Sequence, residues 1–528
     1  MAKYLNSGES ISSSLLLWNV RPTQVSIEET YDLKVWPVTN LYNQGPLNFN
    51  LPPQSKGLLT DIHIVTKLKI QKNGEDITSP QKDVSVINNL ANSLWTEVSV
   101  LCSDRTELCQ SMKNAYAYQS FFNHALNSQK DSADYLFTNE LVKMDQGVTK
   151  KSEEDLRVFW KWDESKNYLL DIAEDNIPDD SSKEAEQAKR KAALWSFAND
   201  EFKNYRGAEQ NANALEGDAK KMFIENSMEK ANAWIPTNAN PAASIRSTRI
   251  NNGKSIILDS KFQNPLFNTS KCLPSNLKIR ISLTRNKDQF LLLCNDDAGY
   301  SIVIEDCYLN VTYYRVRDEI LRLIEEKLTK QAAPYFISRP EIIIRPVTQN
   351  SRIIRMSDIF TDTLPPYAFF ALQRSLDYDG QAKTNPFIFF PFKTFQFYRN
   401  GIPYFTDPLE VATITKIRKS GDDSYDDYAY KDFGQYIRQL YRTIGRDDTG
   451  NCLIDSSNFH LNFMAAISFG ADRPSLTEKH LNLQEKASTH LEIDMGVEQI
   501  PEDLILIVYA VFDRQVQIDS HRMVRIIE

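Results

Sequence analysis

Along residues 60–70, TDIHIVTKLKI, apolar and polar positions alternate, so that Ile62, Ile64, Thr66, Leu68 and Ile70 share one face of an extended chain. Segments of the same period, rich in β-branched and aromatic residues, recur at 31–38, 46–53, 93–104, 255–262 and 301–316. Residues 277–284 place Leu277, Ile279, Ile281 and Leu283 on one side and Lys278, Arg280, Ser282 and Thr284 on the other. This predicts a strand and, across the polar bend 285–288, a partner strand at 290–293. The second half repeats the theme at 341–348, 351–360, 367–374, 386–405, 458–470, 487–496 and 502–519. Asn73-Gly74 and Asn400-Gly401 predict tight hairpins, because both central residues of a type I′ turn need positive φ. Residues 407–413 and 420–427 read as loop.

Helical spacing is confined to a few places. Residues 113–127 and 432–445 predict short aromatic helices, one in each half. Val316, Ile320, Leu323 and Ile324 recur at helical spacing and predict a helix over about 316–331 that closes the first half. Pro334 and Pro340 then mark a boundary. Between about 150 and 245 the composition shifts to strong helix formers. Lys183–Tyr205 carries an apolar stripe of Ala192, Leu194, Trp195, Phe197 and Phe202 behind the candidate N-caps Ser181 and Ser182. This is a helical insertion in a β protein, packed on its own domain or presented as a partner-binding surface.

The expected layout is an N-terminal arm (1–29), a first β unit (30–333) and a second (334–528). Strands, an aromatic helix and more strands follow in the same order in both. Two tandem β-sandwiches fit this pattern, and the jelly roll is the sandwich type that accommodates large loop excursions at one end.

Composition supports folded cores, with 41% hydrophobic and 11% aromatic residues in 528. A net charge of −9 argues against a chain whose main task is to neutralise nucleic-acid phosphates. Cys102, Cys109, Cys272, Cys294, Cys307 and Cys452 are scattered without a CxxC pair and read as small core residues in a reduced compartment. The start lacks a signal-like apolar region and Leu15-Leu16-Leu17-Trp18 is too short to span a membrane, so no span is expected. The sequons at Asn268 and Asn310 then carry no weight.

Candidate chemistry is sparse. Gly253-Lys254-Ser255 resembles part of a phosphate-binding loop, but Thr248 stands where its first glycine belongs and the segment leads into a strand. The six histidines form neither HxH nor HExxH, and the acidic runs 421–432 and 445–450 lack the alternating spacing of a calcium loop. No G-x-S-x-G elbow occurs, and nothing singles out a pair of glycosidase carboxylates. No catalytic, metal-ligating or cofactor-binding residue is therefore expected. The aromatic run Phe387, Phe389, Phe390, Phe392, Phe395, Phe397 and Tyr398 could stack sugars or bases, or form core. Aromatics of both parities require cover on both faces of the strand, which makes these residues a candidate subunit interface.

Taken together, residues 21–38, 86–104, 115–127, 264–292, 385–404 and 502–519 resemble, in order and across both halves, the major capsid proteins of Polinton (Maverick) elements and adintovirus-like viruses. The resemblance implies an all-β double jelly roll, to which the pattern along the chain adds a large helical insertion in the first roll, longer and more helical than the family pattern, and short helices beside each roll. It implies a homotrimer that forms a pseudo-hexagonal capsomer of an icosahedral shell, with neighbouring capsomers and penton and minor capsid (cement) proteins as partners. It further implies location in the virion, no enzymatic activity and no cofactor. The competing reading is a carbohydrate-binding or glycoside-cleaving tandem β-sandwich protein. A third is a domesticated host protein that keeps the fold without forming virions.

Overall fold

The computed structural model describes residues 24–527 apart from 41–44, 79–83, 104–105, 108–111, 146–240, 295–298, 348–351, 361–362, 379–384, 415–416, 419–424, 427–429, 447–449, 457, 460, 471–484 and 497–502. The helix expected at 183–205 lies outside these residues.

Eight principal strands build the sandwich of the first half: β1 (Ile27–Val35), β2 (Leu47–Leu51), β3 (Gly57–Lys72), β4 (Trp95–Cys102), β5 (Thr106–Glu107), β6 (Ile256–Lys261), β7 (Ile279–Arg285) and β8 (Tyr300–Val316). They form two antiparallel sheets ordered β1-β8-β3-β6 and β2-β7-β4-β5. The second half supplies β9 (Ala333–Pro346), β10 (Ile353–Ser357), β11 (Tyr367–Arg374), β12 (Thr394–Arg399), β13 (Leu409–Glu410), β14 (Ala465–Ser468), β15 (Thr489–Asp494) and β16 (Leu504–Ile518). Their sheets are β9-β16-β11-β14 and β10-β15-β12-β13. Counted from the start of each half, both orders are 1-8-3-6 and 2-7-4-5. That interleaving of two sheets is the jelly roll, and the chain is a double jelly roll; Glu75–Asp76 adds a short strand on β3 and Ile402–Pro403 one on β12. A further strand, β17 (Val524–Ile527), pairs with the end of β16.

The alternation on β3 places Ile62, Ile64, Thr66, Leu68 and Ile70 inside, each no more than 2% exposed. On β7, Ile279, Ile281 and Leu283 are buried while Arg280 is exposed and Ser282 and Thr284 are half-buried. Both Asn-Gly pairs form the expected turns, with φ of 52° and 82° at Asn73 and Gly74 and 50° and 77° at Asn400 and Gly401.

Two local expectations are corrected. Residues 290–293 do not make a hairpin with β7: Asp288–Leu291 is a helical turn, and Leu292–Leu293 pairs with Ser85–Val86. Phe290 and Leu291 are apolar on consecutive positions, a pattern that a buried turn satisfies as well as a strand. Pro334 and Pro340 do not bound β9 but lie inside it. Because β9 is an edge strand, hydrogen-bonded among the described strands only to β16, a residue without an N–H costs it no ladder bond on the open side. Strand also occurs inside the stretches expected as loop: Leu409–Glu410 pairs with β12, Ala412–Ile414 with Tyr430–Asp432, and Tyr425–Asp426 with Ile417–Arg418.

The helices fall between the strands. Those used below are α1 (Ala115–Asn127), α2 (Ala133–Glu140), α3 (Pro241–Ile250), α4 (Asp318–Lys330) and α5 (Gly434–Thr443). α1 and α5 hold the same place in the two rolls, after the fifth strand and before the sixth. α4 links the rolls at the surface; its apolar stripe is only partly covered, with Leu328 buried and Leu323 55% exposed.

The chain leaves the first roll at Asp145 and returns through α3. There the fully buried Arg246 donates from Nη2 to Asp145 Oδ1 (2.7 Å), from Nη1 to the Lys143 carbonyl (2.6 Å) and from Nε to the Val86 carbonyl (2.9 Å). Asn385 of the second roll donates to the other oxygen of Asp145. A buried arginine needs such saturation, because an unpaired charge there would cost several kcal/mol.

Candidate functional site

The aromatic run singled out by the sequence is buried within the chain. Phe387, Phe389, Phe390, Phe392, Phe395 and Phe397 are each 2% exposed or less. The expectation that a second subunit covers them is corrected for these six, because the chain covers both of their faces itself. Phe387 stacks on Phe121 of α1 (4.5 Å between centroids, 1° between planes), and Phe389 on Phe122 (5.4 Å, 16°). Phe390 faces the Arg374 guanidinium, Phe392 packs against Tyr436 and Phe463, and Phe395 and Phe397 against Phe370. Tyr398 alone stays half-buried on the outer side of β12, beside His490.

The run therefore marks the junction of the two rolls. α1 belongs to the first roll by sequence but lies between both. Tyr118 donates its hydroxyl to Gln373 Oε1 (2.8 Å) and shares hydrogen-bonding distance with the Pro386 carbonyl (2.9 Å). Phe122 also stacks on Tyr509 of β16 (5.1 Å). Asn114 Nδ2 donates to the Tyr378 carbonyl (2.7 Å), and Arg446 Nη2 to the Asn127 carbonyl that ends α1 (2.6 Å). Further along the seam, Tyr335 donates to the Cys272 carbonyl (2.8 Å) and Arg522 Nε to the Ser275 carbonyl (2.7 Å). Apolar packing is continuous across this seam, so the two rolls share one core.

Beside the junction lies a cleft of about 820 Å³. Its walls come from β3 and β6, from α1 and α2, and from β9 and β16 of the second roll. On the first wall His63 is clasped between two carboxylates, with Nδ1 2.8 Å from Asp259 Oδ1 and Nε2 3.6 Å from Asp61 Oδ2. Hydrogen bonds to Asp259 and Asp61 outweigh burial and raise its pKa to about 9. Burial opposes ionisation of Asp61, but His63 and Lys261 prevail and lower its pKa. On the helical wall His124 Nε2 lies 2.9 Å from Glu140 Oε2, with both side chains buried, and Glu140 also accepts from Asn92 Nδ2 (2.7 Å). The His63–Asp259 and His124–Glu140 pairings were missed in the sequence because their members stand 196 and 16 residues apart. No spacing motif records them.

Two buried thiols, Cys307 and Cys452, carry no nucleophilic poise. Burial pushes Cys307 up to about 12 and Cys452 up to about 11, away from the thiolate that reacts. Burial likewise raises Tyr313, Tyr335 and Tyr441 to about 12. Among the described residues no cluster of His, Cys, Asp and Glu could hold a metal ion, and no helix is long and apolar enough to cross a membrane. Gly253-Lys254-Ser255 connects α3 to β6 and so opens a strand, not a helix. The acidic runs at 421–432 and 445–450 fall largely outside the described residues.

Comparison with solved structures places this arrangement. A chain in the structure of the Sputnik virophage matches with a TM-score of 0.53, over 99% of this chain and 93% of that one, at 10% identity. The two chains share a fold. The mavirus major capsid protein aligns over 100% of this chain and 96% of its own, at 10% identity and a TM-score of 0.48. No family model matches the sequence, and no curated protein matches it.

Proposed function

We propose that this chain is a structural major capsid protein of the Polinton (Maverick) or adintovirus-like kind, without enzymatic activity. Three copies form a pseudo-hexagonal capsomer of an icosahedral virion shell. The observation that carries the reading is the likeness to the Sputnik virophage chain, which runs through both rolls and nearly the full length of each chain. The colinear stretches between 21 and 519 add to it.

The geometry suits the role. Two rolls of one topology on a shared core give a rigid block with two similar corners, so three blocks supply six. Threefold closure uses two different surfaces of each block, and permanent contacts of this kind bury upwards of about 2,000 Å². One candidate contact is the β12 hairpin, where Tyr398 pairs with Pro403 beside the exposed Ile402 (69%) and Tyr404 (37%). Penton and cement proteins complete the shell, and a chain of net charge −9 leaves genome neutralisation to other proteins.

Light scattering on the purified protein tests the reading. The expected mass is three times 60.7 kDa, stable on dilution, with shells visible in producing cells by electron microscopy. A monomer at every concentration would overturn it, as would glycoside turnover abolished by one Asp or Glu substitution.

A further inference from the structure

The geometry points to a ligand site in the cleft between the rolls, and the class of ligand it fits is a neutral oligosaccharide. This inference needs only the cleft and is independent of shell formation.

Volume comes first. At about 820 Å³ the cleft falls within the range of about 300–1,000 Å³ that small-molecule sites occupy. It receives side chains from both rolls, as sites at domain junctions do.

Charge decides the class. The cations on the β3–β6 wall are held by acids: His63 by Asp259 and Asp61, and Lys261 by Asp61 at 3.3 Å. On the opposite wall His124 and Glu140 face each other at 2.9 Å. Asp513 accepts from Ser338 Oγ at 3.5 Å. A phosphate, sulfate or sialic-acid carboxylate would have to compete with these carboxylates for the same donors, and an amine with His63 and Lys261 for Asp61 and Asp259. A ligand without formal charge avoids both conflicts.

Shape and hydrogen bonding narrow it further. Tyr135 of α2 and Phe336 of β9 line the cleft while 57% and 52% exposed, and Tyr367 adds a half-buried ring. Large exposed rings beside polar groups suit a ligand that is apolar on its faces and polar at its rim, as a pyranose is. A row of amides supplies the rim contacts. Asn127 Nδ2 donates to Asn123 Oδ1 (2.5 Å), and Asn123 Nδ2 donates to Gln263 Oε1 (2.6 Å). Each primary amide has two N–H donors and two acceptor lone pairs, so the row is oriented by its internal bonds while keeping capacity for hydroxyls.

The test uses the full chain in whatever assembly it forms, titrated with cellobiose, N,N′-diacetylchitobiose and lactose as neutral probes and with sialyllactose and a heparin disaccharide as anionic ones. Calorimetry and saturation-transfer NMR should show a neutral probe binding with Kd of about 1 mM or tighter, and the anionic probes at least about tenfold weaker. Phe336→Ala and Tyr135→Ala should each weaken binding about tenfold while molar mass and Tm stay unchanged. Absence of neutral-sugar binding up to about 10 mM, or preference for the anionic probes, overturns the inference. So does binding indifferent to both variants. A change of molar mass in either variant also overturns it, since the rings would then be subunit contacts.

Discussion

His63 shows how much a single residue gains from a fold that its sequence neighbours do not announce. Free in an unfolded chain it titrates near 6.5; between Asp61 and Asp259 it holds its proton to about 9. Below about pH 6.5 the imidazolium is present in both states and the contribution to stability is complete. Between 6.5 and 9 the unfolded chain alone releases its proton, so the contribution shrinks, and above 9 it is gone. With the ring a quarter exposed, solvent screening reduces the nominal gap to about 1–2 kcal/mol. Melting curves across this range should show wild type losing that increment as pH rises, and His63→Asn should lack this part of the slope. Superimposable pH profiles would mean the clasp contributes nothing. No motif in the sequence singles out His63, and only the β3–β6 pairing brings Asp259 to it. The aromatic run was legible in the opposite sense. Its double-sided burial was correctly anticipated, but the cover comes from α1, because Phe121 and Phe122 lie some 265 residues upstream of the phenylalanines they stack on, by numbering alone.

Among elements, α1 carries the most. Its aromatic pattern made the helix predictable, and its boundaries fall within two residues of the pattern. Its position between the rolls was not predictable, since periodicity says which face is apolar but not which surface meets it. Phe121→Ala removes a ring stacked flat on Phe387 and should cost about 3–5 kcal/mol, measurable in denaturant melts. Hydrogen exchange should accelerate together in α1 and at 385–390, because both sides of the seam lose the same contact. Acceleration in α1 alone would show that the helix belongs to the first roll only. The strands read well wherever one face is wet, as on β3 and β7. They read poorly at 290–293, where all four residues are buried and alternation has nothing to record.

At the scale of the molecule, the repeated order of sheets was sensed in the sequence as a recurring series of strands, helix and strands. The paired connectivity became visible only once hydrogen-bond partners were known. The closure at Asp145 and Arg246 bears on how such a chain can change. Chain exit and chain return are fixed to each other by a buried ion pair, with Arg246 Nη2 2.7 Å from Asp145 Oδ1. The entropy of closing a loop grows only with the logarithm of its length, about 0.6 kcal/mol per doubling. Replacing 146–240 with a short Gly/Ser linker should therefore leave the melting free energy within about 1–2 kcal/mol of wild type. Arg246→Met in the otherwise intact chain should cost about 3–5 kcal/mol, because it strands the Asp145 carboxylate. If the linker variant fails to melt cooperatively, the closure is not self-sufficient. If it holds, the two residues act as a docking port in evolutionary terms: segments of unrelated length and sequence can be exchanged there while both rolls keep their register.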